Sequence, residues 1–361
     1  MSSEKELDKI RKKIDQVDLK LLELISERAS LASEIANVKK LEGSDTSFYR
    51  PEREARVIKQ AISENKGPLS NEEIARLFRE LMSACLRLEQ VMKIGFLGPQ
   101  GTFTQTAALK HFGHSIEAVE LPSIDQVFHE VTSGACHFGV VPIENSIEGV
   151  VNHTLDMLIN SNLKICGEVE LKIHQHLLSN TADVSIVGTV FSHQHSFAQC
   201  RRWLNNHMPN AECITVASNA EAARLASGQD NSAAIAGESA AEIYDLTILE
   251  KNIEDESDNT TRFLVIGAID VPPSGHDKSS ILFSMPSKPG SLLKMLSCFA
   301  ENSVNLTRIE SRPSREGMWE YVFFVDVDGH IEDSTVAAAM KSLESEASII
   351  KILGSYPKAV L

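Results

Sequence analysis

Residues 7–38 have the sequence LDKIRKKIDQVDLKLLELISERASLASEIANV, in which apolar residues return every three or four positions. That spacing places them on one face of a long helix, which we call the seam. The seam consists of Leu7, Ile10, Ile14, Val17, Leu21, Leu24, Leu31, Ile35 and Val38. Arg28 stands where a leucine would continue it. A guanidinium there is costly unless an anion meets it, so a partner helix or a small anionic ligand must supply one.

The limits of this helix predict that it packs along a second long helix. Ser3 with Glu6 is a capping-box start, and Gly43 is a stop signal. A helix between them is roughly 55 Å long, so its simplest partner is its own copy in a homodimer. Arg11 and Arg28 lie about 25 Å apart along the axis, so one small ligand touches both only if two chains contribute. A coiled-coil arm with a salt-bridged arginine is the alternative.

Composition narrows the class of protein. The chain has 361 residues, 42% hydrophobic and 24% charged, which is typical of a globular protein of two or three domains. Its formal net charge of −15 argues against nucleic acid or an anionic membrane as the main partner. Six cysteines without a CxxC pair, a polar N-terminus and no apolar run of membrane-spanning length favour a reduced, cytoplasmic protein.

Three regions with different patterns follow one another. Residues 1–91 are predicted to be all helical, with a second helix from Pro51 and a third from the capping box of Ser70 and Glu73. Alternating strands and helices predict a two-lobed α/β domain with mostly parallel sheets over residues 92–270. The predicted strands there are 93–98, one near 119, 138–144, 185–192, 212–218, 233–237 and 263–267.

A linker signal at residues 271–275 separates the third region. Residues 278–361 predict the order strand, helix, strand, strand, helix, strand, which is the α+β ferredoxin-like order.

The helical region carries charged residues near its apolar faces. Lys39 lies in the register next to the Arg28 position, Glu54 lies in the first turn of the second helix, and Glu89 falls on the apolar line of the third. A carboxyl on an apolar face favours its neutral, hydrogen-bond-donating form, although a solvated helix-end carboxylate is the plainer interpretation. Cations and two carboxyls without a nucleophile suit a small dianion whose reaction needs shape and charge rather than covalent chemistry.

On these residues the first region resembles the all-helical chorismate mutase domain. The resemblance implies that Arg28 and Arg11 of a second chain hold the two carboxylates of chorismate. It also implies that Lys39 and Glu89 face the ether oxygen of the breaking bond. Glu54 would face the ring hydroxyl. The implied chorismate-binding residues are Arg11, Arg28, Lys39, Arg53, Glu54, Cys85 and Glu89, of which Lys39 and Glu89 are catalytic.

The second region has four motifs beside predicted strand ends, where ligands of α/β proteins collect. They are GPQGTFT at 98–104, VPIENSIEG at 141–149, SHQHSFAQC at 192–200 and TTRF at 260–263. The first opens a helix, which favours anion binding, but the glycine spacing counted from Gly95 is GxxGxxG, with a proline in it, which excludes the dinucleotide fingerprint. The pairs His174/His176 and His193/His195 have no cysteine or carboxylate that completes a metal set, so no metal is expected.

Together these motifs resemble prephenate dehydratase over about residues 93–270. The resemblance implies two lobes like those of a periplasmic binding protein, with prephenate in the cleft. The reaction removes water and carbon dioxide to give phenylpyruvate, and Thr261 is the implied proton donor to the leaving hydroxyl. The implied prephenate-binding residues are Thr102, Glu144, Asn145, Ser146, Ser192, Gln199, Thr261, Arg262 and Phe263.

The third region resembles the ACT regulatory domain, through residues 288–293 (KPGSLL) and 310–313 (ESRP). The resemblance implies feedback inhibition by L-phenylalanine, whose carboxylate suits the helix start at Gly290. The implied effector-binding residues are Gly290, Ser291, Leu292, Asn305, Leu306, Glu310, Ser311, Arg312 and Pro313.

The three resemblances occur in the order of the bifunctional chorismate mutase/prephenate dehydratases of L-phenylalanine biosynthesis. We therefore expect an isomerase and a lyase on one chain, without a cofactor, in a homodimer or a tetramer. Three alternatives compete with this interpretation. The helical region would be only a dimerisation arm, the middle region a non-catalytic amino-acid sensor, and the third region a dimerisation module without a ligand.

Overall fold

Three helices form the N-terminal region: α1 (Ser2–Leu41), α2 (Pro51–Glu64) and α3 (Asn71–Glu89). The structure is a computed structural model that describes residues 2–41, 48–285, 288–313 and 321–360. The proline at the start of α2 and the capping box at α3, where the Ser70 hydroxyl accepts the Glu73 N–H at 3.2 Å, confirm the predicted starts. The predicted stop at Gly43 and the Ser3 side chain lie outside the described residues.

The seam of α1 is uncovered in the single chain. Its apolar side chains, from Leu7 to Val38, are 47–62% exposed. The helix packs on α3 near its C-terminal end, where Ala36 is buried. An apolar stripe of this length is typical of an interaction surface.

The central region contains two separate sheets. The first has the strand order β2-β1-β3-β11-β5, with β4 beside β3. Its strands are β1 (Lys93–Leu97), β2 (Glu117–Leu121), β3 (Phe138–Asn145), β4 (Gly149–Val150), β5 (Lys164–Lys172) and β11 (Thr260–Gly267). Its helices are α4 (Phe103–Phe112), α5 (Ile124–Thr132) and α6 (Asn152–Asn160).

The second sheet is built from the chain between β5 and β11, and its strand order is β10-β6-β9-β7-β8. Its strands are β6 (His176–Ser179), β7 (Thr189–Ser192), β8 (Glu212–Thr215), β9 (Ser232–Ala236) and β10 (Thr247–Glu250). Its helices are α7 (Gln194–Gln199), α8 (Arg201–His207), α9 (Asn219–Ser227) and α10 (Glu238–Ile243). The two sheets with their helices form two lobes.

The prediction of mostly parallel sheets is wrong. β1 is parallel to β2 and β3, and β7 is parallel to β8 and β9, but β11 is antiparallel to both of its neighbours and β6 is antiparallel to β9 and β10. The reason is that the chain leaves the first lobe through β5 and returns through β11. The strand predicted at 185–192 also begins late, because a short 3₁₀ turn occupies Val184–Ile186.

The C-terminal region forms a four-stranded antiparallel sheet in the order β13-β14-β12-β15. Its elements are β12 (Asp277–Met285), α11 (Ser291–Glu301), β13 (Leu306–Pro313), β14 (Tyr321–Asp328), α12 (Ser334–Glu344) and β15 (Ile349–Pro357). One face of this sheet packs on the first lobe, so Phe324 and Tyr356 share a buried core with Ile143 and Leu264. Within the described ranges, no helix is long and apolar enough to cross a membrane.

Candidate active sites

A cavity of about 850 Å³ lies in the helical region between α1, α2 and α3. Six of the seven residues predicted to bind chorismate line it: Arg28, Lys39, Arg53, Glu54, Cys85 and Glu89. They come from three helices, two from each, so only the packing of these helices brings them together. Two guanidiniums, an ammonium and two carboxyls then face one space, which suits a small, charged ligand.

Lys39 and Glu89 form the far end of this cavity. Lys39 Nζ lies 3.6 Å from Glu89 Oε2 and 5.1 Å from the centre of the Phe48 ring. The Glu89 side chain is only 10% exposed, and its Oε2 atom is buried without a hydrogen-bond partner among the described residues. An unsatisfied buried polar atom is costly, so this atom points to a ligand that hydrogen-bonds to it.

Glu54 is a residue of the cavity with a strongly perturbed ionisation. Burial raises the pKa of its carboxyl from 4.5 to about 7, although Arg79, Arg28 and a hydrogen bond from Tyr49 act in the opposite direction. Desolvation therefore outweighs two cations. A carboxyl that titrates near neutral pH in a cavity is typical of a functional site.

Arg11 is the one predicted residue that the single chain does not bring to the cavity. Its guanidinium is exposed and lies 3.6 Å from Asp8. Leu31, Ile35 and Val38 belong both to the seam and to the cavity wall. A helix that covers the seam would therefore also close the cavity.

In the first lobe, the ends of β3 and β11 bring Asn145 and Thr261 together. Asn145 Nδ2 donates to Thr261 Oγ1 at 2.8 Å, and Asn145 Oδ1 accepts the backbone N–H groups of Ile147 and Glu148 at 2.9 and 3.0 Å. The amide is thus held from both sides. It presents the threonine hydroxyl at the strand end in one orientation.

Asn259 belongs to the same cluster, and the sequence analysis missed it. Its Oδ1 accepts from Asn145 Nδ2 at 2.7 Å, while its own Nδ2 is buried and has no partner among the described residues. The residue is completely buried. Its position directly before the TTRF motif was the available signal. That signal is weak, because a polar residue at the start of a strand is usually an ordinary turn residue, and only burial distinguishes Asn259 from one.

The second lobe contributes a polar cluster around Asn219. Ser192 Oγ lies 3.2 Å from Asn219 Oδ1 and 3.0 Å from the Ile235 carbonyl oxygen, and these two acceptors share its one hydrogen. Asn219 Nδ2 donates to Gln175 Oε1 at 3.4 Å, and Gln175 Nε2 donates to Gln199 Oε1 at 3.2 Å. The predicted residues Ser192 and Gln199 are therefore connected through Asn219 and Gln175, which carried no motif of their own.

The two lobes meet through Glu148. Gln199 Nε2 donates to Glu148 Oε1 at 3.2 Å, and His195 forms an ion pair with Glu148. A cavity of about 750 Å³ opens beside this contact, between the loop after β3 and α7. The histidines of the other HxH pair make contacts within the second lobe: His174 lies 2.8 Å from Glu254, and His176 accepts the Asn252 N–H. No group of three ligating side chains in the described parts of the chain is placed to hold a metal ion.

The glycine loop at 98–104 makes a second contact between the lobes. Tyr244 donates its hydroxyl hydrogen to the Gln100 carbonyl at 3.2 Å, and Gly101 adopts a φ of 85° where a Cβ atom would lie 3.3 Å from Ala240. Thr102 precedes α4, and its hydroxyl donates to the Leu97 carbonyl at 3.1 Å. The loop is thus fixed by short-range bonds and by close packing.

Four of the predicted prephenate-binding residues have side chains that bind to or pack against other parts of the protein. Arg262 points to the opposite face of β11 and donates to Glu168 at 2.8 Å and to Asp326 at 2.6 Å, so its guanidinium is not available in the cleft. Its neighbour across the strand pair, Glu144, forms an ion pair with Arg308. The other two are Phe263 and Ser146. Phe263 is 2% exposed in the core of the first lobe. The Ser146 hydroxyl donates to the carbonyl of residue 258 and accepts the N–H of residue 260.

The predicted effector residues lie around α11 and β13. Gly290 precedes α11 with a φ of 84°, a conformation that glycine adopts readily. Leu292 is 46% exposed, and Asn305 donates to Asp328 at 2.9 Å. Arg312 is bound to the first lobe, because it donates to the Asn152 carbonyl at 2.6 Å and lies 3.0 Å from Asp156. The motif around Arg312 therefore contacts α6 directly.

Comparisons with known proteins agree with this division. Family models match residues 10–90 (chorismate mutase type II), 94–270 (prephenate dehydratase) and 279–345 (ACT domain). Similar curated proteins include the bifunctional chorismate mutase/prephenate dehydratases of Pseudomonas aeruginosa, 53% identical over 100% of both chains, and Neisseria gonorrhoeae, 47% identical over 97% of both. A solved prephenate dehydratase of Arthrobacter aurescens in complex with L-Phe is 33% identical, with a TM-score of 0.68 over 75% of this chain and 93% of that one.

Proposed function

Because this chain belongs to the family of bifunctional chorismate mutase/prephenate dehydratases, we propose that each activity resides in one of the two sites described above. The chain is an enzyme with both activities. Chorismate would rearrange to prephenate in the helical cavity, and prephenate would become phenylpyruvate in the cleft between the lobes. The proposed domains are residues 1–91, 92–270 and 278–361.

The buried Oε2 atom of Glu89, which lies beside Lys39 and has no hydrogen-bond partner among the described residues, is the observation that supports the first assignment most directly. Chorismate carries two carboxylates and an ether oxygen, so it needs cations at its ends and a hydrogen-bond donor at the bond that breaks. Arg28 supplies one cation, and Lys39 with Glu89 would face the ether oxygen. Ionised Glu54 would accept a hydrogen bond from the ring hydroxyl. The rearrangement is unimolecular, so placement and charge suffice for catalysis.

The bond between Asn145 and Thr261 supports the second assignment. In prephenate, loss of the ring hydroxyl as water and of the ring carboxylate as carbon dioxide leaves an aromatic ring. A single donor near the leaving hydroxyl is enough, because aromatisation drives the reaction. Thr261 would give its proton to the leaving hydroxyl, and Asn145 would hold the Thr261 oxygen in place. Ser192 and Gln199 would bind the rest of the substrate from the second lobe.

Both assignments are tested by one time course. The full chain is incubated with chorismate, and prephenate followed by phenylpyruvate is measured, with prephenate alone as the second substrate. Thr261→Ala should stop at prephenate. Thr132→Ala, a threonine of α5 whose hydroxyl bonds only its own helix, serves as the matched control and should behave as the wild type. Binding of prephenate without turnover by the wild type would instead favour the non-catalytic sensor.

We further propose that the third region is a ferredoxin-like ACT domain through which L-phenylalanine inhibits the dehydratase. The A. aurescens prephenate dehydratase was solved with L-Phe bound. Two ion pairs support a connection here. Glu144 and Arg262 immediately neighbour Asn145 and Thr261, and they pair with Arg308 and Asp326 of the third region. A shift of that sheet would therefore move Glu144 or Arg262, and each of these is the chain neighbour of a residue that forms or holds the proposed proton donor.

The uncovered seam supports a homodimer with shared mutase sites. The second chain would cover the seam, close the helical cavity and bring its own Arg11 to the ligand. A tetramer would need further contacts, for which the exposed strand β13 and helix α11 of the third region are candidates.

A further inference from the structure

Tyr49 connects the helical cavity to the dehydratase domain. It precedes α2 and is 4% exposed, packed among residues of the first lobe such as Phe112 and Phe138. Its hydroxyl lies 3.0 Å from His111 Nε2 on α4, and its side chain also hydrogen-bonds to Glu54. A hydrogen-bonded chain thus runs from a residue of one domain to a carboxyl in the site of the other.

The hydrogen bonds that link His111, Tyr49 and Glu54 can run in either direction. Burial lowers the pKa of His111 to about 3, so its ring is neutral and has one donor and one acceptor nitrogen. When Glu54 is ionised, His111 donates to Tyr49 and Tyr49 donates to the carboxylate. When Glu54 is neutral, the carboxylic acid donates to Tyr49 and Tyr49 donates to the ring. The Tyr49 hydroxyl can therefore bond to both Glu54 and His111 in either protonation state of Glu54, with the proton of the His111 ring on Nε2 in the first case and on Nδ1 in the second.

Other charges around Glu54 belong to all three regions. Arg28, Arg79 and Glu52 act on its carboxyl directly from α1, α3 and α2. Arg79 is itself held by the carbonyl of residue 110, to which it donates at 2.8 Å. The remaining titratable groups that line the adjoining space are Lys110, Cys166, Glu168, Glu170 and Lys358.

The dehydratase domain makes room for the ring. A Cβ atom on Gly167 of β5 would lie 2.9 Å from His111 Cε1, which is closer than real Cβ contacts. His111 therefore packs closely against a strand position that lacks a side chain. A ring confined in this way keeps its Nε2 atom directed at Tyr49.

We propose that Tyr49 and His111 are positioning residues of the mutase reaction, and that the dehydratase domain thereby completes the mutase site. The inference rests on the proposed function of the helical cavity. It adds that Glu54 is held in its catalytic orientation through Tyr49 by a residue 57 positions further along the chain. The mutase site of the first domain then depends on a residue of the second domain, although the two proposed active sites are separate.

The test compares four variants of the full chain, with both activities measured from pH 5.5 to 9. Tyr49→Phe removes a bond that favours ionised Glu54, so the acid limb of mutase kcat/KM should move up by roughly 0.5–1 pH unit. His111→Leu should lower mutase kcat roughly fivefold, and His111→Gln, which can place a polar group near Nε2, should restore most of it. His129→Gln, an exposed histidine of α5, is the control.

The dehydratase rate separates positioning from general damage to the fold. The proposal requires that it changes less than twofold in the Tyr49 and His111 variants. An unmoved mutase profile in Tyr49→Phe overturns the proposal, and so does an equal loss of both activities in the two His111 variants. A wild-type chain that forms no prephenate from chorismate would refute the proposed function instead, so the two failures are distinguishable.

Discussion

Asn145 and Thr261 are register partners on β3 and β11, and the Asn145 amide donates to the Thr261 hydroxyl at 2.8 Å. The same amide accepts two backbone N–H groups through its oxygen, at 2.9 and 3.0 Å. The turn after β3 therefore determines where the hydroxyl points. Since the hydroxyl oxygen accepts from Asn145, its own hydrogen is left to be donated to a ligand.

We expect Thr261→Ala to lower the dehydratase rate by roughly 10²–10⁴-fold, because a positioned proton donor is lost. Asn145→Ala should cost less, since the hydroxyl remains but loses its orientation. Thr261→Ser should retain most activity. Steady-state rates with prephenate measure this, and mutase rates with chorismate should be unchanged in all three variants. Loss of both activities in a folded Thr261→Ala chain would contradict the assignment of separate sites.

Glu54→Gln is expected to stabilise the protein in a pH-dependent way. The folded pKa of Glu54, about 7, exceeds the ordinary value of 4.5, so the native state binds the proton more tightly. The free energy of unfolding of the wild type therefore falls as pH rises from about 4.5 to 7. Residue 54 makes no such pH-dependent contribution in the Gln variant, because an amide does not titrate there. The thermal unfolding midpoint of the variant should exceed that of the wild type by more at pH 8 than at pH 5. A constant difference across this range would show that Glu54 does not titrate there.

Mutase activity should depend on a hydrogen-bonding side chain at position 89. The buried Oε2 atom of Glu89 has no hydrogen-bond partner among the described residues, so a bound ligand would supply one. Glu89→Gln, whose amide can donate to an ether oxygen, should retain most mutase activity, whereas Glu89→Leu should lower kcat/KM with chorismate by roughly 10²-fold. An unchanged kcat/KM in Glu89→Leu would exclude Glu89 from the site.

Shared mutase sites predict complementation between chains. Arg11 is exposed far from the cavity of its own chain, whereas Arg28 lines it. Arg11→Ala and Arg28→Ala should each lose most mutase activity alone. Mixed dimers should recover one intact site per dimer, as measured after co-expression with two different affinity tags. Verified heterodimers without recovery would refute the shared site and leave α1 as a dimerisation arm.

Inhibition by L-phenylalanine should weaken when the contact between Arg308 and Glu144 is removed. Arg308→Ala is expected to bind L-phenylalanine as the wild type does, by calorimetry, but to be inhibited several-fold less, because the ion pair no longer connects the sheet to the cleft. Arg224→Ala, which removes an exposed ion pair on α9, is the matched control. Full inhibition of Arg308→Ala would exclude this contact as the connection.

The sequence was informative where local rules suffice. The heptad spacing, the proline of α2 and the capping box at Ser70 predict three helices, and packing of those helices is enough to gather Lys39, Glu54 and Glu89. It was less informative where a partner is distant in the chain. Arg262 stands in a motif next to Thr261, and the alternation of side chains along a strand sends it to the opposite face. The positions of Glu168 and Asp326 on that face explain its charge.

The missed residues have roles that depend on their neighbours in the fold rather than on a sequence pattern. Asn259, Gln175 and Asn219 are ordinary polar residues in sequence, and they matter because Asn259 and Gln175 are buried and Asn219 hydrogen-bonds to Ser192. The mixed strand directions of the two sheets were missed for a similar reason. β5 and β11 connect the lobes, and nothing local distinguishes a connecting strand from one inside a lobe.

The core shared by Ile143, Leu264, Phe324 and Tyr356 has a consequence for attempts to shorten the protein. The proline-rich linker after residue 270 is an obvious place to cut the sequence, and a cut there would strip an apolar wall from the first lobe. It would also leave the Arg262 guanidinium without Asp326, one of its two carboxylates. The third region is therefore not a removable attachment. A chain without the proposed feedback inhibition is better sought by point substitutions at the interface than by deletion.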